Sequence, residues 1–154
     1  MLTCQTKYHG EIEYTEDALM RFAGGLPGFE EQTTFLPIEI PSARPIVFLQ
    51  SVSSPDLCFV TLPVLVVEAG YVLKLRPEDL AAIGLPSDRQ PRLGADVLCL
   101  AILTIQENVP TTANLMAPVV MNLRTRQAVQ AICSNMSYTH QHPFLKEAVR
   151  EAVC

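Results

Sequence analysis

Two histidines and a cysteine near the C-terminus have side chains of the types that bind metal ions. His140 and His142 alternate, so a strand would place both rings on one face, and Cys133 lies seven residues before His140. A structural zinc site needs four ligands, and the sequence offers no fourth. Two histidines in a polar segment beside a proline are typical of a protein surface. We therefore predict no metal site.

The other motifs of catalysis are missing from the sequence. No serine lies in a G-x-S-x-G elbow, and no cysteine has a local catalytic signature. Residues 24–28 lack the G-K-[ST] ending of a phosphate-binding loop, and Pro27 removes one backbone donor, so we interpret this stretch as a rigid turn. Adjacent acids such as Glu78 and Asp79 do not face each other, and general acid–base catalysis would need a further partner. The sequence predicts neither an enzyme nor a cofactor.

The cysteines favour a reducing compartment. Their number is odd and no two form a C-x-x-C pair, so neither a closed set of disulfides nor a four-thiolate zinc site is predicted. Cys58 and Cys99 lie in apolar segments and are expected in the core, whereas Cys4 and Cys154 are expected to be more exposed. The chain carries neither a signal-peptide pattern nor an apolar run of the roughly 18 residues that a membrane span requires. We expect a cytoplasmic protein that does not associate with membranes.

The composition predicts a single globular domain made of strands. The chain has 154 residues, of which 49% are apolar and 18% charged, enough for one sizeable core. Twelve prolines and seven glycines separate short β-branched and aromatic runs, which is typical of an all-β, mainly antiparallel barrel or sandwich. Sixteen acidic and eleven basic residues give a net charge of -5. This charge argues against electrostatic binding of nucleic acid and favours a basic protein partner.

The turn residues place the expected strands along the chain. Residues 2–8 and 11–14 flank His9-Gly10, a two-residue link that predicts an N-terminal hairpin. The apolar run 62–67 is either a buried strand or an exposed hydrophobic patch, and we favour burial. Further strands are expected at residues 33–40, 46–51, 57–62, 71–75, 97–105, 118–123 and 128–132.

Two segments are predicted to be helical. Pro77 followed by two acidic residues is a typical first turn, and Gly84 can end this short helix. From Pro143 onward, apolar residues recur at spacings of three and four opposite charged ones, which predicts an amphipathic C-terminal helix. We therefore divide the chain into a small barrel-like domain at residues 1–143 and a helical extension at 144–154. The extension is a lid docked on the barrel, a frayed tail or a partner-binding helix.

Four stretches of the sequence together carry a family resemblance. They are T-K-Y-H-G at residues 6–10, G-L-P-G-F-E at 25–30, L-Q-S-V at 49–52 followed by P-D-L at 55–57, and N-L-M-A-P-V-V-M-N at 114–122. Each stretch alone would be a turn or a strand edge. Their order and spacing resemble the bacterial flagellar assembly factor FliW family, and the resemblance covers nearly the whole chain, to about residue 143.

The resemblance implies a small, β-barrel-like cytoplasmic protein without catalytic activity. It implies that the protein binds flagellin before export and, when free of flagellin, binds the RNA-binding translational regulator CsrA. Bound CsrA no longer represses the flagellin message, and in the family this antagonism is non-competitive, from a position away from the RNA surface. The acidic balance of the chain fits such a role, because complementary charge speeds association with a basic RNA binder.

We expect the partner-binding residues in loops at the ends of the barrel, since such loops are exposed and free to vary. One candidate is the loop at 51–56 with the residues that lead into it, a second surrounds Gly70, and a third lies at 118–124. The candidate contact residues are Phe48, Gln50, Ser54, Pro55, Asp56, Glu68, Tyr71, Pro118, Asn122 and Arg124. The alternative for the first loop is a tight turn between paired strands, and that for Asn122 is hydrogen bonding to backbone groups at a strand end.

Two other functions and the oligomeric state complete the predictions. A small β-barrel that binds nucleic acid is the alternative function, although the chain lacks clustered basic residues with interleaved aromatics. The third functional hypothesis is a metal-dependent enzyme built on His140, His142 and Cys133. Prolines and charges interrupt the expected strand edges, so we predict a monomer.

Overall fold

A computed structural model describes residues 1–135 and 137–143 of the chain. The predicted C-terminal helix and the extension at 144–154 lie outside these residues, and so does Cys154. The strands are β1 Leu2–Thr6, β2 Gly10–Tyr14, β3 Met20–Phe22, β4 Thr34–Ile38, β5 Val47–Ser51, β6 Cys58–Pro63, β7 Val97–Gln106, β8 Val109–Ala113, β9 Val119–Asn122, β10 Gln127–Gln130 and β11 His142–Pro143. The α-helices are α1 Val64–Val67 and α2 Pro77–Ala82.

Seven of these strands close into a barrel. Their order around the ring is β7, β6, β5, β4, β3, β10 and β9, and β7 completes the ring by pairing with β9 as well as with β6. Each pair in the ring is antiparallel except β10 with β3, which is parallel. The second half of β7 leaves the ring and pairs with β8, which in turn pairs with β11. The prediction of a mainly antiparallel barrel is confirmed.

Alternating side chains divide the core into two clusters, one on each side of the barrel wall. One cluster takes side chains from every strand of the ring and therefore fills the interior, with Val47 and Leu49 of β5 among them. Phe48, between these two residues, belongs to the other cluster. That outer cluster is covered by the N-terminal hairpin and by the segments around α1 and α2. Apolar residues on both faces of β5 explain why its first three residues are all apolar.

The N-terminal hairpin forms a sheet of its own. Strands β1 and β2 pair only with each other among the described residues, with Cys4 opposite Ile12. The turn is longer than the predicted two-residue link, because β1 ends at Thr6 and pairs there with Gly10, which has φ +68°. Cys4, expected to be exposed, is buried because the inner face of the hairpin packs on the outer cluster.

Two predicted strands are wrong. Residues 71–75 form no strand, only a single bridge between Leu75 and Cys133, although their alternate side chains are buried in the outer cluster. The run 62–67 is not a buried strand either. Strand β6 ends at Pro63, α1 follows, and Leu65 on this helix is 47% exposed. The sequence also failed to indicate the short strands β3, β8 and β11.

The predicted helix at Pro77 is confirmed as α2. Proline occupies its first turn with Glu78 and Asp79, and Gly84 follows its end with φ +72°. The Asp79 carboxylate accepts hydrogen bonds from the Arg76 guanidinium and from the backbone of Ile132, which fastens the helix next to β10. Within residues 1–135 and 137–143, no helix has the length and apolarity needed to cross a membrane.

The glycine-rich stretch at 24–28 is the rigid turn that its composition predicts. Leu26 and Phe29 exchange backbone hydrogen bonds of 3.4 and 2.7 Å, and Gly25 and Gly28 have φ of +68° and +84°. A Cβ at Gly25 would lie 2.4 Å from the carbonyl oxygen of Glu30. Glycine is therefore required at residue 25 both by the backbone conformation and by space.

Replacing Gly25 by Ala tests this requirement. We expect Gly25→Ala to lower the free energy of unfolding by about 2 kcal/mol or more, because a left-handed backbone and a backbone clash combine. The matched control is Gly24→Ala, since a Cβ there would meet nothing within 4 Å. Urea unfolding of both variants measures the difference, and equal losses would contradict the assignment.

Candidate functional site

The loop between β5 and β6 is shaped by one buried side chain, Gln50. Its amide nitrogen lies 3.0 to 3.3 Å from the carbonyl oxygens of Ser51, Ser54, Pro55 and Leu57, to which it donates. Main-chain bonds from Leu57 to Ser54 and from Ser51 to Leu57 close the same loop. The loop is therefore a rigid turn with a fixed outline, as the alternative interpretation of 51–56 predicts.

The glycine-rich turn is tied to this loop by Gln32. The Gln32 side-chain oxygen accepts hydrogen bonds from the hydroxyls of Ser51 and Ser53, the latter at 2.8 Å. Close by, Phe29 is 42% exposed and packs edge-on against Phe59 of β6, with ring centres 5.5 Å apart. The stretch 25–32 thus reaches the same end of the barrel as the β5–β6 loop.

The tip of the N-terminal hairpin completes this end of the barrel. The backbone N–H of Lys7 donates to the carbonyl of Pro55 at 3.0 Å. The His9 ring packs on Phe48 with centroids 4.6 Å apart, and burial lowers the pKa of His9. Tyr8 is 61% exposed, and the Lys7 ammonium lies 5.5 Å from the centre of its ring.

The structure therefore brings together three of the four stretches that carry the family resemblance. We call the exposed part of this end the tip surface, and define it as Lys7, Tyr8, Ser53, Pro55 and Asp56. It presents a cation, an aromatic ring, a proline and a carboxylate on backbone that is fixed by hydrogen bonds from three directions. Such a surface suits a protein partner, because little order is lost on binding.

Five of the predicted contact residues belong to this end of the barrel. Pro55 and Asp56 are exposed and Ser54 is half-buried, so these residues can meet a partner directly. Phe48 and Gln50 are buried beneath the loop and the hairpin tip. Their side chains shape the tip surface from below.

Glu68 and Tyr71 lie at the opposite end of the barrel, where β6 leads into α1. Glu68 is half-buried, and its carbonyl accepts the N–H of Tyr71. The Tyr71 hydroxyl donates to the carbonyl of Leu115 at 2.7 Å, and its ring stacks on Tyr138 with centroids 4.4 Å apart. Burial raises the pKa of the Tyr71 hydroxyl, so the group stays neutral at physiological pH. These contacts of Tyr71 are internal to the fold.

The third predicted group also contains residues with internal partners. The Asn122 side chain donates to the carbonyl of Ile83 at 2.8 Å and accepts the N–H of Arg124 at 2.9 Å. Pro118 is buried, and its carbonyl accepts the N–H of Ala131. Arg124 is exposed. Since Asn122 pairs with the start of β7, this group lies away from the tip surface.

The tip surface includes residues that sequence reasoning did not select. Lys7 and Tyr8 lie in the stretch 6–10 that carries the resemblance, but nothing local indicates that a hairpin tip touches a loop more than forty residues away. Gln32 carries no motif, and only the folded chain reveals its bonds to Ser51 and Ser53. Long-range contacts of this kind leave no periodic signal in the sequence.

The cysteines and histidines among the described residues are not gathered into a ligand set. The Cys133 thiol is buried and donates to the carbonyl of Val72. Burial raises the pKa of Cys58 to about 11 and also raises the pKa of Cys99, which keeps both thiols protonated at neutral pH. In the part of the chain that the structure describes, no three residues among His, Cys, Asp and Glu are placed to hold a metal ion.

Comparisons with known proteins agree on one family. The family model described as FliW protein matches residues 3–145. The chain is 37% identical over 145 residues to the flagellar assembly factor FliW of Bacillus licheniformis, covering 94% of this chain and 97% of that protein. It is 32% identical over 139 residues to the protein of the same description from Bacillus subtilis, covering 90% and 93%. A crystal structure of the flagellar assembly factor FliW matches with a TM-score of 0.80 and 34% identity, covering 94% of this chain and 98% of that one.

Exchanging the amide of Gln50 for a carboxylate tests its role in shaping the loop. Gln50→Glu removes the donor and sets a carboxylate among four carbonyl oxygens. We expect a loss of about 3 kcal/mol in unfolding free energy at pH 8. The loss should shrink at pH 5, because the oxygen-rich site raises the pKa of the new carboxyl and the protonated acid is neutral.

The control for this variant is Gln106→Glu, which places the same new charge on an exposed residue at the end of β7. Urea unfolding at both pH values measures the two losses. Equal and pH-independent losses in the two variants would contradict a structural role for the Gln50 amide.

Proposed function

This chain belongs to the FliW family of flagellar assembly factors, and we propose that it acts in the cytoplasm as a binding protein without catalytic activity. In this proposal it binds flagellin and, when free of flagellin, binds and antagonises the RNA-binding regulator CsrA. Antagonism relieves the repression of flagellin translation. We further propose that the protein acts as a monomer and that the tip surface provides part of the contact with CsrA.

The observation that carries this proposal is the convergence of three motif-bearing segments on one surface. Lys7 donates to Pro55, Gln50 donates to the same carbonyl, and Gln32 accepts from Ser53. These hydrogen bonds fix the shape of the turns, and a fixed shape favours binding because little conformational freedom is lost when a partner binds. The exposed Tyr8 ring adds the residue type most often found at the energetic centre of interfaces.

Charge supports a basic partner for this end of the molecule. The chain carries a net charge of -5. Glu11 and Glu13 alternate on the exposed side of β2, and Asp56 is exposed on the adjoining loop. Complementary charge raises the rate of association more than it raises affinity, so salt should slow the encounter with a basic RNA-binding protein.

Competition between the two partners would make the protein a sensor of flagellin supply. If flagellin and CsrA exclude one another, free flagellin withdraws the antagonist from CsrA by mass action. The difference between the two affinities then sets the flagellin level at which repression returns. Such a switch needs no chemical step.

Titration of the purified protein with CsrA from the same organism, alone and with flagellin present, tests the proposed function. We expect CsrA to bind with a heat signal that flagellin abolishes, because in this proposal the two partners exclude one another. Calorimetry provides the measurement. Absence of binding to CsrA would refute the antagonism, and unaltered CsrA binding in excess flagellin would refute the switch.

Reversal of charge at Asp56 tests the tip surface itself. Asp56→Lys is expected to weaken the CsrA complex on the order of tenfold, or about 1.4 kcal/mol, because a carboxylate is replaced by a repelling cation at the interface. The unfolding free energy should change by less than about 0.5 kcal/mol, since Asp56 is exposed.

Asp88→Lys is the matched control for this variant, because it makes the same charge change on an exposed loop between α2 and β7. Surface-based kinetics at low and high salt separates the contact from general steering. Equal weakening by Asp56→Lys and Asp88→Lys would mean that only net charge matters and that the tip surface is not the contact.

A further inference from the structure

The hairpin tip is a separate cover over the barrel wall. Among the described residues, β1 and β2 pair only with each other. The backbone bond from Lys7 to Pro55 and the packing of His9 on Phe48 join the tip to the β5 region. The hairpin tip at residues 7–9 can therefore lift without breaking a strand-ladder hydrogen bond of the barrel, while Cys4, whose thiol donates to the carbonyl of Ser51, keeps β1 packed on the outer cluster.

Two buried polar atoms lie under this cover without a hydrogen-bond partner among the described residues. They are Nε2 of His9 and Oε1 of Gln50. Gln50 is fully buried, and its amide nitrogen is committed to the loop carbonyls, so its oxygen cannot be satisfied by rotation of the amide. Unpartnered buried groups make the closed arrangement costly, and both groups would gain water if the tip lifted.

We infer that the hairpin tip is a proton-sensitive lid, latched by the neutral His9 ring on Phe48, whose release uncovers Phe48 and Gln50 beside the tip surface. This inference deepens the proposed function, because it gives the same surface a closed and an open form. It also gives Phe48 and Gln50 a route to a partner that their burial otherwise denies.

The direction of the pH effect follows from the surroundings of His9. Strand β5 presents the uncharged Phe48 to it, the hairpin carries Lys7 and Glu11, and the loop carries Asp56. Burial lowers the pKa of His9 from its ordinary value of 6.5. The closed form therefore prefers the neutral ring, and closure weakens as the pH falls from 6.5 through the lowered pKa.

The Lys7 amide is a direct reporter of closure, because it donates to Pro55 only when the tip is docked. In the full-length, 15N-labelled protein without any partner, we expect its amide resonance to move between pH 7.5 and pH 5, with a midpoint below 6.5. The same resonance should stay in place in His9→Gln, which cannot be protonated. In His140→Gln, the control for loss of a histidine elsewhere, it should move as in the unchanged protein.

Three outcomes would overturn the lid. They are a Lys7 resonance that does not respond to pH, a response that persists in His9→Gln, and a His9 ring that titrates above 6.5. The last would mean that the protonated ring finds an acceptor in the closed form. Because no partner is present, these results are independent of whether CsrA or flagellin binds.

A second measurement links the lid to the proposed site. If opening favours CsrA, lowering the pH from 7.5 to 5.5 should strengthen CsrA binding by the unchanged protein relative to binding by His9→Gln. The ratio of the two affinities should therefore rise as the pH falls. If the lid responds to pH but this ratio stays constant, the lid does not affect CsrA binding. That result would overturn its assignment to the proposed binding surface.

Discussion

Strand β7 hydrogen-bonds to β6 along one edge and to β9 along the other, and this double pairing closes the sheet. A closed sheet has no unpaired edge and encloses its own apolar interior. Closure also fixes where each strand ends, because a ring of seven strands leaves little freedom in register. The ends of β5 and β6 are thereby held at a set distance, and a short loop between them becomes a firm platform.

The functional candidates are attached to this ring by side-chain and single backbone bonds. Gln50 stands on a barrel strand and reaches into the loop, whereas Gln32 and Lys7 approach the loop from outside. Such attachments open at a lower free energy than a strand ladder does. The barrel and the β5–β6 loop therefore supply rigidity, and the hairpin tip supplies the part of the molecule that can change.

The sequence predicts a strand correctly where a segment with alternating apolar residues also hydrogen-bonds to a neighbouring strand. The prediction fails where such a segment has no strand partner. Tyr71 and Leu75 are buried on one face, as alternation indicates, yet the segment finds only one bridging partner and forms no strand. Alternation reports a buried face and not the hydrogen bonds of a ladder. The apolar character of the run 62–67 favours a buried strand, but β6 ends at Pro63 and a helix begins at Val64. The all-β class, barrel or sandwich, was predictable from the number and spacing of strands, whereas the choice of a barrel came from the family resemblance.

The tip surface was predictable only in part, for a different reason. Exposure at Pro55 and Asp56 follows from a turn between paired strands, which is a local property. The meeting of that turn with residues 6–10 and 25–32 is a property of the closed ring, which no local pattern encodes. Because Gln50 fixes the outline of the loop from beneath, the exposed side chains of Pro55 and Asp56 above it take no part in the hydrogen bonds that shape the loop. Their identity can change to suit a partner while the shape that presents them stays the same.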